Sequence, residues 1–372
     1  MDLILIALTA LIVTAVATPL AIKAAKKFGL VDDPNLRPHP AHIQRRAIPR
    51  AGGLPIYLGI VLTSLLFLPL EKYLLGIFSG ITLLLVIGII DDKLPNFSPY
   101  ARFPLLFAAA ALAVGSGIGI SFISNPFFGI PHLPTMLNTS IIRLDEVIYT
   151  INFLGTHNLI VIADLFALIW IVALTQIVNW SKGVDGQMPG ITLVTAVVLG
   201  LLSLKFYFEG DVSQLSIAKL AFIIAGTSLG FLIFNWHPSK ILPGFSGSTI
   251  LAYMLAILAI LSTAKVATAL LVLAIPTIDF LYTFFRRIFE GKSPFWGDRG
   301  HFHHRLLDLG WSHQKISLFY MLGSAILGAA ALFIDTEGKV FVIGLVAAIF
   351  LGFVLWLNFY GGFSKQRGPD NG

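Results

Sequence analysis

The chain of 372 residues contains no cysteine, which removes disulfides, thiolate nucleophiles, zinc-thiolate centres and iron-sulfur clusters from consideration. Charge is scarce: Asp, Glu, Lys and Arg make up 12% of the residues, against roughly 25% in soluble globular proteins. Tandem repeats, low-complexity tracts and the inverted halves of many transporters are missing as well. So is a basic leader: Lys23, Lys26 and Lys27 follow the first apolar run instead of preceding it. That order predicts a retained first helix and not a cleaved signal peptide.

What remains is hydrophobic. Apolar residues reach 56% and the mean hydropathy is +0.86, more apolar surface than a soluble fold can hide. Runs long enough to cross about 30 Å of hydrocarbon fall near residues 2–24, 54–70, 73–90, 101–123, 158–178 and 189–208. Further runs lie near 216–234, 247–263, 266–285, 316–334 and 339–360. These predict an all-α polytopic membrane protein of ten or eleven transmembrane helices, forming one domain over residues 1–372. Alternating the spans from an outside N-terminus gathers the loops 25–53, 91–100, 179–188, 235–246 and 286–315, with the C-terminal tail, on one side. Most of the 25 Lys and Arg lie there, so the positive-inside rule makes that side cytoplasmic and the membrane the plasma or inner membrane. The net charge of +6 then reports orientation and contact with membrane lipid, and no nucleic acid is expected. The external segment 124–157, with its β-favouring run at Val147–Ile151, predicts a short hairpin on the membrane surface.

The chemistry-bearing residues concentrate in the cytoplasmic loops. The third span ends in Asp91-Asp92-Lys93, and two adjacent carboxylates at an interface suit a hard divalent cation such as magnesium, or simply end a solvated helix. Loop three reads Asn179-Trp180-Ser181-Lys182-Gly183-Val184-Asp185-Gly186, which could cradle a phosphate or make an ordinary turn. Loop four carries Asn235-Trp236-His237-Pro238 and then Gly244-Phe245-Ser246-Gly247-Ser248 at the start of a helix, where free amides attract anions. The loop over 286–315 is richest, with Asp298-Arg299-Gly300-His301-Phe302-His303-His304-Arg305. Imidazoles there can bind metal, donate to phosphate or carry protons, and arginines can grip phosphate. Two acids lie inside spans: Asp279 is placed to support this loop, whereas Asp164 has no evident role.

Taken together with Arg50-Ala51-Gly52-Gly53, these motifs and their order make the chain resemble the polyprenyl-phosphate N-acetylhexosamine-1-phosphate transferases, over nearly its whole length. The His-x-His-His spacing is similar to the N-acetylglucosamine-1-phosphate branch. The resemblance implies transfer of a HexNAc-1-phosphate from a UDP-sugar to polyprenyl phosphate, releasing UMP, as the first membrane step of a cell-envelope glycan. It further implies a magnesium or manganese cofactor and a homodimer. By the same resemblance Asp91 is base or positioner of the acceptor phosphate, and Asp91, Asp92 and Asp185 are catalytic and hold the metal. Arg45, Asn179, Lys182, Asn235, Arg299, His301, His303 and His304 are its substrate-binding residues. The chain departs from the family twice: Phe245 stands where a metal-binding Asp is expected, and Lys182 where another acid is. If both acids were ionised, the local charge moves by about three units. Either Lys182 takes over part of the cation's work, or the chain only binds its ligands. A transporter is the third reading, disfavoured by the absence of inverted repeats and of a midplane charge pair.

Overall fold

Apolar segments in a bilayer must close their backbone hydrogen bonds internally, and the chain is accordingly helical. The computed structural model describes residues 2–34, 43–44, 46–94, 97–125, 141–152, 156–262, 265–294 and 299–360. In chain order the helices are α1 (Leu3–Phe28), α2 (Gly53–Phe67), α3 (Lys72–Lys93), α4 (Pro99–Gly115), α5 (Val161–Trp180) and α6 (Gln187–Phe208). They continue with α7 (Gln214–Asn235), α8 (Gly244–Leu261), α9 (Lys265–Val272), α10 (Ala274–Phe289), α11 (Phe302–Asp308), α12 (His313–Phe333) and α13 (Thr336–Tyr360). Among the described residues eight helices are long and apolar enough to cross a membrane, nine if the bent pair α9–α10 counts as one span; α2 and α4 are shorter apolar helices.

Where the observed helices fall short of the expected spans, local chemistry explains it. α2 stops at Phe67 because Leu68, which precedes Pro69, is extended, as a residue before proline prefers. α4 ends at Gly115, and Gly117 turns the chain out of the helix with φ of 100°. The expected span 266–285 is broken: α9 and α10 meet at 87°. Pro276 sits in the first turn of α10, and because proline has no N–H it cannot bond back to the carbonyl of Val272 and continue α9.

The middle of the bundle is α8, nearly all of whose residues are buried. α3 and α5 flank it, while α1 packs on α7, and α6 on α7 and α12. The α1–α7 contact depends on small residues. A side chain on Gly226 or Gly230 would run into the carbonyl oxygens of Ala7 and Leu11 respectively, the close approach typical of helices that gain nothing from hydrophobic transfer out of lipid. Strands are few. β1 (Val31–Asp32) pairs with β2 (Ile48–Pro49), folding loop one back on itself. Between α4 and α5, β3 (Phe122–Ser124) pairs with β4 (Ile141–Arg143), and β5 (Ile148–Asn152) with β6 (Thr156–Ile160). Two antiparallel pairs thus occupy the stretch where one hairpin was expected. Asp164 finds a role here, accepting the Ile160 amide at 3.0 Å at the start of α5.

A Cβ at Gly226 overpacks the α1–α7 contact, so Gly226→Ala lowers thermal stability in detergent by about 1–3 kcal/mol. Gly344 on α13 has no atom within 4 Å of a built Cβ, and Gly344→Ala leaves the melting temperature unchanged or slightly raised.

Candidate active site

α3 delivers Asp91 and Asp92 to its C-terminal end, where the helix dipole already disfavours negative charge, so both carboxylates need donors. Asp92, fully buried, receives four. Arg50 Nε lies 2.8 Å and the Phe245 amide 2.7 Å from its Oδ1, while the Ser246 amide at 3.2 Å and hydroxyl at 2.8 Å donate to Oδ2. Those amides are free because they open α8, so the carboxylate ending one helix caps the next. Gly244 makes the approach feasible: its φ is 68°, and any Cβ there would overlap the Asp92 carboxylate. Asp91 accepts from Arg102 Nε at 2.7 Å through Oδ1. Its buried Oδ2 accepts no hydrogen bond, and Arg50 Nη2 is 3.8 Å away. Burial works against the charge on Arg50, but Asp92, Asp32 and Asp91 outweigh it and hold its pKa above the ordinary value.

Phe245 fills the space next to this pair, with the Arg102 guanidinium 5.0 Å and the Lys182 ammonium 5.7 Å from its ring centroid, both within cation–π range. Lys182 reaches across from loop three and donates to Asn179 Oδ1 at 2.9 Å, Ser248 Oγ at 2.9 Å and the Gly244 carbonyl at 3.3 Å. Burial, then the nearby Arg50 guanidinium, push its amine down to about 7.

The expected metal set of Asp91, Asp92 and Asp185 does not converge. Asp92 has its acceptor positions filled, and Arg50, Arg102 and Lys182 bring three cationic groups to the carboxylate pair. A magnesium ion does not fit there. Asp185 faces elsewhere: Gln44 Nε2 donates to its Oδ1 at 2.9 Å, and His237 Nδ1 lies 2.7 Å and the Ser239 amide 3.2 Å from its Oδ2. With His237 and His313 it forms, among the described residues, a group that could hold a metal ion. Asn235 is a brace more than a ligand, with its Oδ1 on the Gly186 amide and its Nδ2 on the Ile241 carbonyl, tying loop three to loop four.

The His/Arg loop docks against α10. Asp279 accepts the Phe302 amide at 2.8 Å and lies 3.2 Å from His301 Nδ1, which is the supporting part expected of it. His301 and His303 stack 5.4 Å apart, and His304 lies 4.4 Å from His303. Gly183 packs so closely on His303 that a Cβ there would overlap the imidazole. Burial and the neighbouring His304 and His301 hold His303 well below the usual histidine range, and its Nδ1 is buried with no hydrogen-bond partner. Arg299 stands apart, 48% exposed and paired with Asp308 at 3.0 Å. Arg287, one of the arginines that begin the 286–315 segment, places its guanidinium 5.1 Å from the Trp180 ring. Arg45 and Asp298 lie outside the described residues.

Beside the polar site, α4, α5 and α10 enclose an apolar groove of about 200 Å³, lined by Phe103, Phe107, Ile169, Trp180 and Phe284 among others. Trp180 links the two regions, lying edge-on to His301 at 5.7 Å. Arg50, Arg102, Gln44 and His313 were not predicted as site residues. Arg50 was visible as part of the Arg50-Ala51-Gly52-Gly53 motif without a role, Arg102 and Gln44 only as helix-edge and loop polar residues, and nothing local marks His313, which opens α12.

A polar site rich in Asp, His, Lys and Arg thus lies next to an apolar groove in a bundle of membrane-length helices, the class of a polytopic membrane protein. The family model described as glycosyl transferase family 4 matches residues 74–263. The decaprenyl-phosphate N-acetylglucosaminephosphotransferase of Mycolicibacterium smegmatis is 30% identical over 99% of this chain and 90% of its own length. The probable undecaprenyl-phosphate N-acetylglucosaminyl 1-phosphate transferase of Bacillus subtilis is 28% identical over 85% of this chain and 80% of its own. The undecaprenyl-phosphate alpha-N-acetylglucosaminyl 1-phosphate transferase of Escherichia coli K12 is 27% identical over 83% and 77%. The chain belongs to glycosyl transferase family 4.

Lys182 gives the site a pH signature. With the amine at about 7, most of it is neutral at pH 8, and a bound diphosphate raises its pKa and recharges it. Binding of UDP at pH 8 therefore takes up a proton, seen as a calorimetric enthalpy that changes with the buffer's ionisation enthalpy. In Lys182→Met that dependence disappears.

Proposed function

We propose that the chain transfers N-acetylglucosamine 1-phosphate from UDP-N-acetylglucosamine to polyprenyl phosphate, giving the lipid diphosphate sugar and UMP, with its site on the cytoplasmic side of the plasma membrane. The observation that carries this reading is the juxtaposition of the apolar groove with the Asp91–Arg102 and His301–Trp180 contacts. A prenyl chain lying between α4, α5 and α10 brings its phosphate to the end of the groove where Arg102, Arg287 and His301 stand. The relatives are named as transferases of N-acetylglucosamine phosphate with undecaprenyl or decaprenyl phosphate, which supports the acceptor and the group transferred.

The reaction needs little from a protein nucleophile. An oxygen of the acceptor phosphate attacks the β-phosphorus of the UDP-sugar, and the bond from that phosphorus to the bridging oxygen breaks as UMP leaves. Positioning and charge neutralisation supply the rate. Asp91, with one oxygen accepting no hydrogen bond, takes the proton of a singly protonated acceptor phosphate and orients it between Arg50 and Arg102. Lys182, fixed by Asn179 and Ser248, faces the diphosphate of the donor. His303, held neutral, offers its free Nδ1 as a hydrogen-bond partner without adding charge.

The test is UMP release by the purified chain in nanodiscs. It appears with UDP-N-acetylglucosamine only when polyprenyl phosphate is present, and Asp91→Asn slows it by roughly 10²–10⁴-fold. Ala173→Trp, which fills the groove, raises the KM for polyprenyl phosphate and leaves that for the UDP-sugar unchanged. Nucleotide binding with no turnover on any UDP-HexNAc would make the chain a binder of the same ligands and overturn the proposal.

A further inference from the structure

We propose that Asp185, His237 and His313 form a divalent metal site of mixed oxygen and nitrogen ligands, selective for transition ions of the manganese and zinc class over magnesium. The site lies on the wall of the cleft that Lys182 lines, away from the Asp91–Asp92 pair.

The geometry points there. One ligand atom from each of the three side chains lies within 4.8 Å of the others. Asp185 Oδ2 is 2.7 Å from His237 Nδ1 and 3.8 Å from His313 Nδ1. Ligands bound at about 2.1 Å around one ion are separated from each other by roughly 3 to 3.5 Å, and these distances bracket that range. The three side chains come from separate parts of the chain: the turn between α5 and α6, the end of α7, and the first turn of α12. Their arrangement is therefore a product of the fold and not of a local turn.

The surrounding contacts hold them in place as partners of metal ligands do. Gln44 Nε2 fixes the second oxygen of Asp185 at 2.9 Å. Ser317 Oγ donates to the Asp185 carbonyl at 2.6 Å, and Gln314 Nε2 to that of His237 at 3.4 Å. The imidazoles of His237 and His313 stack 4.3 Å apart, tilted by 26°, with Nδ1 of both within 3.8 Å of Asp185 Oδ2 and the Asp185 amide donating to His313 Nδ1 at 3.4 Å, a contact that an ion would replace. The His237 side chain is 35% exposed, so water or a phosphate oxygen can reach the group and complete the coordination. Lys182 and Asp185 line one small cleft.

Ligand chemistry sets the choice of ion. Magnesium favours oxygen donors in near-ideal octahedra, whereas two imidazoles with one carboxylate suit manganese, iron, cobalt and zinc. The competing arrangement is a plain hydrogen-bonded triad, with His237 donating to Asp185 and no ion.

The use of the site in catalysis rests on the proposed reaction, but its existence is read by metal binding alone. The full chain in nanodiscs, stripped with chelator, is titrated with Mn²⁺ and followed by electron paramagnetic resonance. One Mn²⁺ binds per chain, pulsed spectra of the unmodified protein show imidazole nitrogen coupling, and a hundredfold excess of Mg²⁺ leaves the ion in place. His237→Ala with His313→Ala weakens binding at least tenfold, whereas Asp91→Asn leaves the nitrogen coupling intact. Failure to bind Mn²⁺, oxygen-only coupling in the unmodified chain, or loss of the nitrogen coupling in Asp91→Asn would each overturn the proposal. The nitrogen signal needs no variant, so a misfolded double mutant does not obscure the answer.

Discussion

Asp92 stands where the negative end of α3 meets the positive end of α8. Its carboxylate satisfies the Phe245 and Ser246 amides and the Ser246 hydroxyl while pairing with Arg50. Through Arg50 it holds loop one, which is itself joined to loop four where Leu242 donates to the Pro49 carbonyl. Removing one member of such a buried charge network costs about 3–5 kcal/mol, because the others are left uncompensated. Loops one, two and four thus share one electrostatic anchor, and the geometry of Asp91, Lys182 and Phe245 depends on it.

That anchor explains how the departures at positions 182 and 245 coexist with an ordered site. An acid at 245 would bring another carboxylate to Asp91 and Asp92 and call for a cation between them. Phenylalanine instead offers a ring face to Arg102 and Lys182. The two differences compensate each other: a side chain that cannot hold an ion stands beside a lysine that brings positive charge. The positive charge beside Phe245 is then partly covalent, and at Lys182, whose amine is pushed down to about 7, it depends on pH.

The helical architecture was legible because long apolar runs have few other solutions in a bilayer. α1, α3, α7 and α12 fall close to the expected limits, and the break at Pro276 follows from a residue plain in the sequence, although its 87° angle does not. In the site, Asp91, Asp92, Lys182 and the His301–His304 run were visible as motifs, and the structure brings them into one region. Their partners were less visible. His313 meets Asp185 across 128 positions, and Arg102 meets Asp91 from the far side of a loop, with no periodicity to announce either. Asn235 was expected to bind substrate by resemblance, as the first residue of the Asn235-Trp236-His237-Pro238 motif, and both ends of its amide are taken by backbone. Asp92 likewise reads as a metal acid in the sequence and acts as a helix cap in the fold.

The groove beside α10 has a kinetic consequence. Phe107 and Ile169 on its walls are exposed, and on the proposed reaction a long-chain acceptor enters between them sideways from the bilayer. Its supply is governed by diffusion in two dimensions, and half-saturation is properly expressed as a mole fraction of total lipid. Diluting the membranes leaves occupancy unchanged, while adding inert phospholipid lowers it. The sugar nucleotide obeys ordinary three-dimensional mass action. One catalytic centre therefore couples two phases with different concentration scales, and enlarging the membrane slows the acceptor step without any change in cellular nucleotide.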